Sequence, residues 1–123
     1  MIKTAEYMSH PVITAPVTNS VLDVTRLMNR HNIGSIILMD GEDIAGIVTE
    51  RDIIRKVVSQ EDDPAHVKAS EIMTSDVRTV TKDASVMEVS AEMKEHTMRR
   101  VVVTDNGKPY GIITSRDIIG LLV

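Results

Sequence analysis

Cysteine, phenylalanine and tryptophan are all absent from this chain of 123 residues, and tyrosine occurs only twice. Without cysteine, disulfide bonds, zinc–thiolate sites and catalytic thiols are excluded. Without large aromatic side chains the core must be aliphatic, and isoleucine and valine together supply 30 residues. Because β-branched residues favour strands and pack well against aliphatic helix faces, we expect a mixed α/β fold.

Two further absences limit the location and the partners. No apolar run approaches the roughly 18 residues that a membrane-spanning helix needs, and the first residues lack the apolar stretch of a signal peptide. We therefore expect a cytoplasmic protein with no membrane partner. The formal net charge of −4 offers no basic surface to a phosphate backbone, so nucleic acid is an unfavoured partner.

An internal repeat is the strongest signal in the sequence. A shift of 65 residues aligns Lys3–Ile54 with Lys68–Ile119 without a gap, and 18 of the 52 aligned pairs are identical. The segment GIVTERDII at residues 46–54 is repeated as GIITSRDII at residues 111–119. One copy of about 50 residues would be only marginally stable by itself, so we predict two copies that form one module. We place copy 1 at residues 1–58, a polar linker at 59–66 and copy 2 at 67–123.

Each copy predicts the same order of elements, β-α-β-β-α. A short helical turn and a brief extended segment precede a serine-capped helix with one apolar face, and two aliphatic strands joined by a glycine turn lead to a last helix. The residues that carry these signals are Ser20, Val21, Val24, Met28 and Gly41 in copy 1, and Ser85, Val86, Val89, Met93 and Gly107 in copy 2.

The Thr-x-Arg-Asp phrase that opens the last helix has two interpretations. Threonine and aspartate three residues apart match a capping box. Capping does not explain the arginine, because the helix dipole disfavours a cation in the first turn by about 0.3–1 kcal/mol. A guanidinium binds phosphate well, and an aspartate can accept hydrogen bonds from ribose hydroxyls. The phrase therefore favours a ribose phosphate, with Thr49, Arg51 and Asp52 in copy 1 and Thr114, Arg116 and Asp117 in copy 2.

The duplicated unit that ends in this phrase resembles a tandem pair of CBS domains, the regulatory module named after cystathionine β-synthase. Each copy also has the pattern Met-[Ser/Thr]-x-x-Val-x-Thr, and the resemblance covers nearly the whole chain. It implies two β-α-β-β-α units around a pseudo-twofold axis, with two clefts for AMP, ADP, ATP or S-adenosylmethionine. It also implies regulatory binding without catalysis or a required metal, an effector protein, and a homodimer in which four CBS units form a disc.

The resemblance assigns the ribose to one aspartate in each cleft and completes each cleft with residues of the opposite copy. One cleft is expected to contain Ile47, Thr49, Arg51, Asp52, Arg78, Thr79, Met98, Arg99 and Arg100. The other is expected to contain Ile13, Thr14, Ile33, Gly34, Ser35, Ile112, Thr114, Arg116 and Asp117. Because two arginines stand where the other copy has Gly34 and Ser35, we predict that the Asp52 cleft binds phosphorylated ligands more tightly.

Other features of the sequence leave alternatives open. His31 and His96 are interpreted as helix-end residues rather than metal ligands. No nucleophile accompanies Asp52 and Asp117, so we do not expect an enzyme. A structural dimer with vestigial clefts is one alternative to an adenosine-binding regulator. A binder of single-stranded RNA is another, although the chain lacks stacking aromatics.

The last helix of each copy has more aliphatic residues than one buried face needs. Such an excess on a small chain is typical of an interface, which predicts a homodimer. The residues are Ile53, Ile54, Val57, Val58, Ile118, Ile119, Leu121, Leu122 and Val123.

Overall fold

The computed structural model describes residues 12–120, in which each copy of the repeat forms a three-stranded sheet with helices packed against it. These residues divide into two compact units, Ile13–Val77 and a second unit that contains Val12 and the residues from Arg78 onward. The mixed α/β class and the β-α-β-β-α order are confirmed for both copies. Within residues 12–120, no helix has the length and apolar character needed to cross a membrane.

The first unit begins with five elements, β1 (Thr14–Pro16), α1 (Val21–His31), β2 (Ser35–Asp40), β3 (Asp43–Thr49) and α2 (Glu50–Ile53). β2 is the central strand, parallel to β1 and antiparallel to β3. The helix α2 continues directly as a π-helical segment, Ile54–Val58. A 3-10 turn at Pro64–His66 then leads to the short helix α3, Ala69–Ile72.

The helix α3 belongs to copy 2 of the repeat but packs in the first unit. Ala69 and Ile72 are buried in the hydrophobic core of that unit. The N–H of Ile47 donates to the carbonyl of Thr74 at 3.0 Å, and the N–H of Thr74 donates back at 2.9 Å. The chain that follows the linker therefore completes the core of copy 1. The equivalent helical turn predicted ahead of copy 1 lies outside the described residues.

The second unit repeats the arrangement with β4 (Thr79–Thr81), α4 (Val86–His96), β5 (Arg100–Asp105), β6 (Lys108–Thr114) and α5 (Ser115–Gly120). The central strand β5 is parallel to β4 and antiparallel to β6. Both hairpins shift register at equivalent places, after Leu38 and after Val103. The two sheets thus share topology and register as well as sequence.

The local signals in the sequence account for both long helices and both hairpin turns. The hydroxyl of Ser20 accepts from the third N–H of α1 at 3.0 Å, and that of Ser85 does the same for α4 at 3.1 Å. Gly41 and Gly107 adopt the positive φ angles that their turns require, +62° and +79°. The expected apolar stripe is buried through Val21, Val24 and Met28 in α1 and through Val89 and Met93 in α4.

Candidate functional site

The Thr-x-Arg-Asp phrase of copy 1 lies at one edge of the first sheet. Thr49 ends β3 and pairs with Ser35, the first residue of β2. The N–H of Glu50 donates to the carbonyl of Gly34 at 3.0 Å, which holds the start of α2 beside the start of β2. Because β1 runs parallel to β2, Thr14 at the start of β1 lies at the same edge.

Copy 2 repeats this edge with different charges. Thr114 ends β6 and pairs with Arg100, and the N–H of Ser115 donates to the carbonyl of Arg99 at 2.9 Å. Thr79 begins the parallel strand β4 at the same edge. Since Arg78, Arg99 and Arg100 occupy the positions of an isoleucine, a glycine and a serine in copy 1, this edge carries three additional cations.

Each unit therefore gathers the predicted site residues of its own copy at one sheet edge. The first unit contributes Ile13, Thr14, Ile33, Gly34, Ser35, Ile47, Thr49, Arg51 and Asp52. The second contributes Arg78, Thr79, Met98, Arg99, Arg100, Ile112, Thr114, Arg116 and Asp117. The completion of each site by residues of the opposite copy stays a prediction.

The carboxylate of Asp52 is bound through both oxygens. Its Oδ2 accepts from the N–H of Thr49 at 2.9 Å and from the Thr49 hydroxyl at 3.0 Å, while the N–H of Asp52 donates to Thr49 Oγ1 at 3.2 Å. Its Oδ1 lies 3.3 Å from Lys56 Nζ. Lys56 also donates to the carbonyl of Ile72 at 2.9 Å. The capping interpretation is confirmed for this copy. Lys56 is a further partner of the carboxylate, which a capping box does not require.

The carboxylate of Asp117 caps its helix without that lysine. Oδ2 accepts from the N–H of Thr114 at 2.8 Å, and the N–H of Asp117 donates to Thr114 Oγ1 at 3.3 Å. The repeat has Leu121 at the position equivalent to Lys56. Among the described residues, Asp117 Oδ1 makes no hydrogen bond or ion pair. Within this part of the chain, one oxygen of the carboxylate is left without a partner and can accept from a ligand hydroxyl.

The two arginines of the repeated phrase are exposed. Within residues 12–120, neither Arg51 nor Arg116 takes part in a side-chain hydrogen bond or ion pair. Arg51 and Arg116 lie in the first turns of α2 and α5, and their guanidinium groups take no part in the helix caps. A guanidinium in this position can bind a phosphate through two parallel hydrogen bonds.

The structure also groups three potential metal ligands on α4. Atoms of Glu92, Glu95 and His96 lie within 4.8 Å of one another, and His96 Nε2 is 3.3 Å from Glu92 Oε1. The spacing Glu-x-x-Glu-His places them on neighbouring turns of one helix and is the sequence signal for this group. Alignment of the two copies does not reveal this group, because copy 1 has Leu27 and Arg30 at the positions of the two glutamates.

Comparisons with known sequences agree with the repeat. A family model for the CBS domain matches residues 5–59 and again residues 69–123. Among curated proteins, an uncharacterised protein of Methanopyrus kandleri is 38% identical over 120 residues, which are 96% of this chain. The chain spans 61% of the length of that relative.

Solved structures of CBS proteins share the fold. A CBS domain protein from Pyrobaculum aerophilum, complexed with AMP, has a TM-score of 0.81 and 29% identity over 94% of this chain and 89% of its own. The CBS domain pair of protein MJ0100, in complex with 5′-methylthioadenosine and S-adenosyl-L-methionine, has a TM-score of 0.82 and 30% identity over 98% and 99%. Since the family model matches both copies of the repeat, this chain belongs to the CBS-domain family and contains a pair of CBS domains.

Proposed function

We propose that this CBS-domain pair is a regulatory, non-catalytic module that binds an adenosine-containing ligand, namely AMP, ADP, ATP or S-adenosylmethionine. One observation carries the proposal: each unit has a capping aspartate and an exposed arginine at the same sheet edge. These groups match a ribose and a phosphate. Related CBS proteins bind AMP in one case and methylthioadenosine with S-adenosylmethionine in another.

The two oxygens of each aspartate have separate roles in this proposal. Oδ2 remains in the helix cap, and Oδ1 accepts from the ribose hydroxyls. In the second unit, Oδ1 of Asp117 has no partner among the described residues. In the first unit, Oδ1 of Asp52 already pairs with Lys56, so a ribose hydroxyl and the lysine would bind the same oxygen. The lysine adds a cation beside Asp52, so we expect the two sites to differ in the ligands that they prefer.

The phosphates bind to arginines in this proposal. Arg51 and Arg116 follow the capping threonines closely, and Arg99 and Arg100 add two exposed cations. Each charge-assisted hydrogen bond contributes about 1.5–3 kcal/mol where the site is partly desolvated. We retain the expectation that Arg99 and Arg100 serve the ligand held by Asp52. No metal is needed to neutralise the phosphates in this arrangement.

A structural role is the second candidate function. Capping by itself accounts for the threonine and the aspartate in both copies, since Thr49 with Asp52 and Thr114 with Asp117 form reciprocal hydrogen bonds. In this alternative the clefts are vestigial and the protein acts through its assembly. The two candidates differ in a single measurable property, the affinity for adenosine ligands.

We also propose that the chain forms a homodimer through its last helices. Ile54, Val58 and Ile119 are 59%, 62% and 60% exposed, which is unusual for large aliphatic side chains on a small protein. Val57, which belongs to the apolar excess expected from the sequence, is fully buried in the core of the first unit. Leu121, Leu122 and Val123 lie outside the described residues. Light scattering at micromolar concentration tests the proposal, and a monomer would contradict it.

A thermal-shift panel tests ligand binding. AMP, ADP, ATP, NAD and S-adenosylmethionine are each added to the wild-type chain and to a double variant, Asp52→Asn with Asp117→Asn. A ligand at 100 times its dissociation constant should add roughly 2.7 kcal/mol of stability to the wild type. The double variant should respond much less. If no adenosine ligand shifts the wild type, the structural alternative is favoured.

A further inference from the structure

The last two turns of α4 bring two carboxylates and an imidazole together. Glu92, Glu95 and His96 occupy positions i, i+3 and i+4 of this helix, which are neighbours on a helical surface. One ligand atom of each residue lies within 4.8 Å of those of the other two. We call these three residues the α4 cluster. The cluster combines one nitrogen donor with two oxygen donors on a single rigid element.

The spacing of the donor atoms agrees with a tetrahedral metal site. Zinc binds a histidine nitrogen at about 2.0–2.1 Å and a carboxylate oxygen at about 2.0–2.2 Å, so two such donors at tetrahedral angles are about 3.3–3.5 Å apart. The distance from His96 Nε2 to Glu92 Oε1 is 3.3 Å. The exposed Glu95 supplies a third oxygen through a change of side-chain rotamer. The α4 cluster therefore needs little rearrangement to hold one ion.

The charge around the α4 cluster also favours a cation. Within residues 12–120, neither Glu92 nor Glu95 forms an ion pair with a lysine or an arginine. The cluster lies at the C-terminal end of α4, an 11-residue helix whose dipole is negative at that end. The side chains of Glu92 and His96 are only 31% and 26% exposed, which reduces the conformational entropy that a bound ion would remove. A divalent cation would neutralise both carboxylates.

Copy 1 provides an internal reference, because it has the histidine without the carboxylates. His31 is the last residue of α1, as His96 is of α4, whereas Leu27 and Arg30 take the positions of the two glutamates. A role at the helix end therefore needs the histidine alone. That role accounts for His31 but leaves the two glutamates beside His96 without an explanation.

We propose that Glu92, Glu95 and His96 bind a divalent transition-metal ion at the end of α4. The imidazole nitrogen favours such ions over Mg²⁺ and Ca²⁺, which prefer ligand sets made of oxygen. Three protein donors leave a fourth tetrahedral position for water. The site shares no residue with the Thr-x-Arg-Asp phrase, so the inference is independent of adenosine binding. It extends the interpretation of His96 as a helix-end residue and leaves that of His31 unchanged.

Calorimetric titration of Zn²⁺ into the chelator-treated chain, without nucleotide, tests the site. His96→Gln and Glu92→Gln should each weaken Zn²⁺ binding by about tenfold or more, because each removes one of three donors. His31→Gln is the matched control in copy 1, and Glu88→Gln removes an exposed acid one turn earlier on α4. Both controls should bind Zn²⁺ as the wild type does. No saturable binding by the wild type, or an equal loss in the controls, overturns the inference.

Paramagnetic Co²⁺ provides an independent test of the location. One equivalent of Co²⁺ should broaden the NMR resonances of the last two turns of α4 before those around His31. Glu92→Leu with Glu95→Arg gives α4 the residues of α1 but keeps His96, and it should remove this broadening. Glu95→Arg alone, at an exposed position that does not endanger folding, should reduce it. Broadening centred on His31, or unchanged broadening in both variants, overturns the inference.

Discussion

Thr49 and Asp52 exchange hydrogen bonds in both directions, with the backbone N–H of Thr49 at 2.9 Å from Asp52 Oδ2 and the N–H of Asp52 at 3.2 Å from Thr49 Oγ1. The pair therefore has a structural role whether or not a ligand binds. Its equivalent, Thr114 and Asp117, has the same geometry at 2.8 and 3.3 Å. Measurements of ligand affinity and of stability are therefore needed to distinguish ligand binding from helix capping at these residues.

Replacement of either aspartate by asparagine separates the two roles. An asparagine oxygen can still accept in the cap, so Asp52→Asn and Asp117→Asn should each reduce stability only modestly. If the carboxylates hold ribose, nucleotide binding should weaken by about 1 kcal/mol or more. Calorimetric titration of each variant measures the affinity for nucleotide, and thermal unfolding measures the stability. Unchanged affinity in both variants would leave capping as their whole role.

The arginines of copy 2 should discriminate between ligands by phosphate content. Arg99→Ala should weaken ATP binding by tenfold or more, because a charge-assisted contact is lost, and it should leave adenosine binding nearly unchanged. Arg116→Ala is the matched variant in the repeated phrase, and Lys94→Ala controls for the loss of an exposed positive charge elsewhere in the second unit. Calorimetric titration of ATP into the wild type and each variant measures the affinity of the two sites. Two equal sites in the wild type, or no effect of Arg99→Ala, would contradict this assignment.

Lys56 should stabilise the first unit mainly through a backbone carbonyl. Lys56→Met removes the 2.9 Å bond to the carbonyl of Ile72, whose residue is buried, as well as the partly exposed pair with Asp52. We expect a loss of about 1–2 kcal/mol in urea unfolding, most of it from the carbonyl left without its donor. Arg55→Met on the neighbouring residue is the control. Equal losses in the two variants would contradict a specific role for Lys56.

Gly46 should not tolerate a side chain. A β-carbon there would lie 2.6 Å from Met73 Sδ and 2.8 Å from the carbonyl of Thr74, which the two bonds to Ile47 hold in place. Gly46→Ala should therefore destabilise the protein by about 1–3 kcal/mol. Gly120→Ala is a suitable control, because no atom of the other described residues lies within 4 Å of the added carbon. A Gly46→Ala chain as stable as the control would contradict the close approach.

The ion pair of Lys82 and Asp105 should titrate at high pH. A hydrogen bond to Asp105 and the negative charge of that carboxylate raise the pKa of Lys82 above the ordinary value of 10.5. Because the folded pKa is the higher one, the stabilisation is complete below the unfolded value and disappears as the pH rises through the folded value. NMR titration should give a lower Lys82 pKa in the Asp105→Asn variant. An unchanged pKa would show that Asp105 is not the cause of the shift.

The sequence by itself determined the duplication, the order of the elements and the contents of each sheet edge. These features depend on short-range rules, since a serine cap reaches three residues ahead and a buried helix face repeats every three or four residues. Ser20, Ser85 and the buried stripe of α1 behave as those rules predict. The repeated Thr-x-Arg-Asp phrase could be recognised for the same reason.

Only the tertiary structure decided which distant segments complete each unit. The helix α3 joins the core of copy 1 because Ala69 and Ile72 find apolar partners there, and no periodicity in the sequence encodes that choice. The bond from Lys56 to Ile72 follows from the same packing and makes Asp52 differ from Asp117. The different charges of the two sheet edges likewise emerge where the start of a strand meets the start of a helix, because Gly34 and Glu50, or Arg99 and Ser115, become neighbours only after folding.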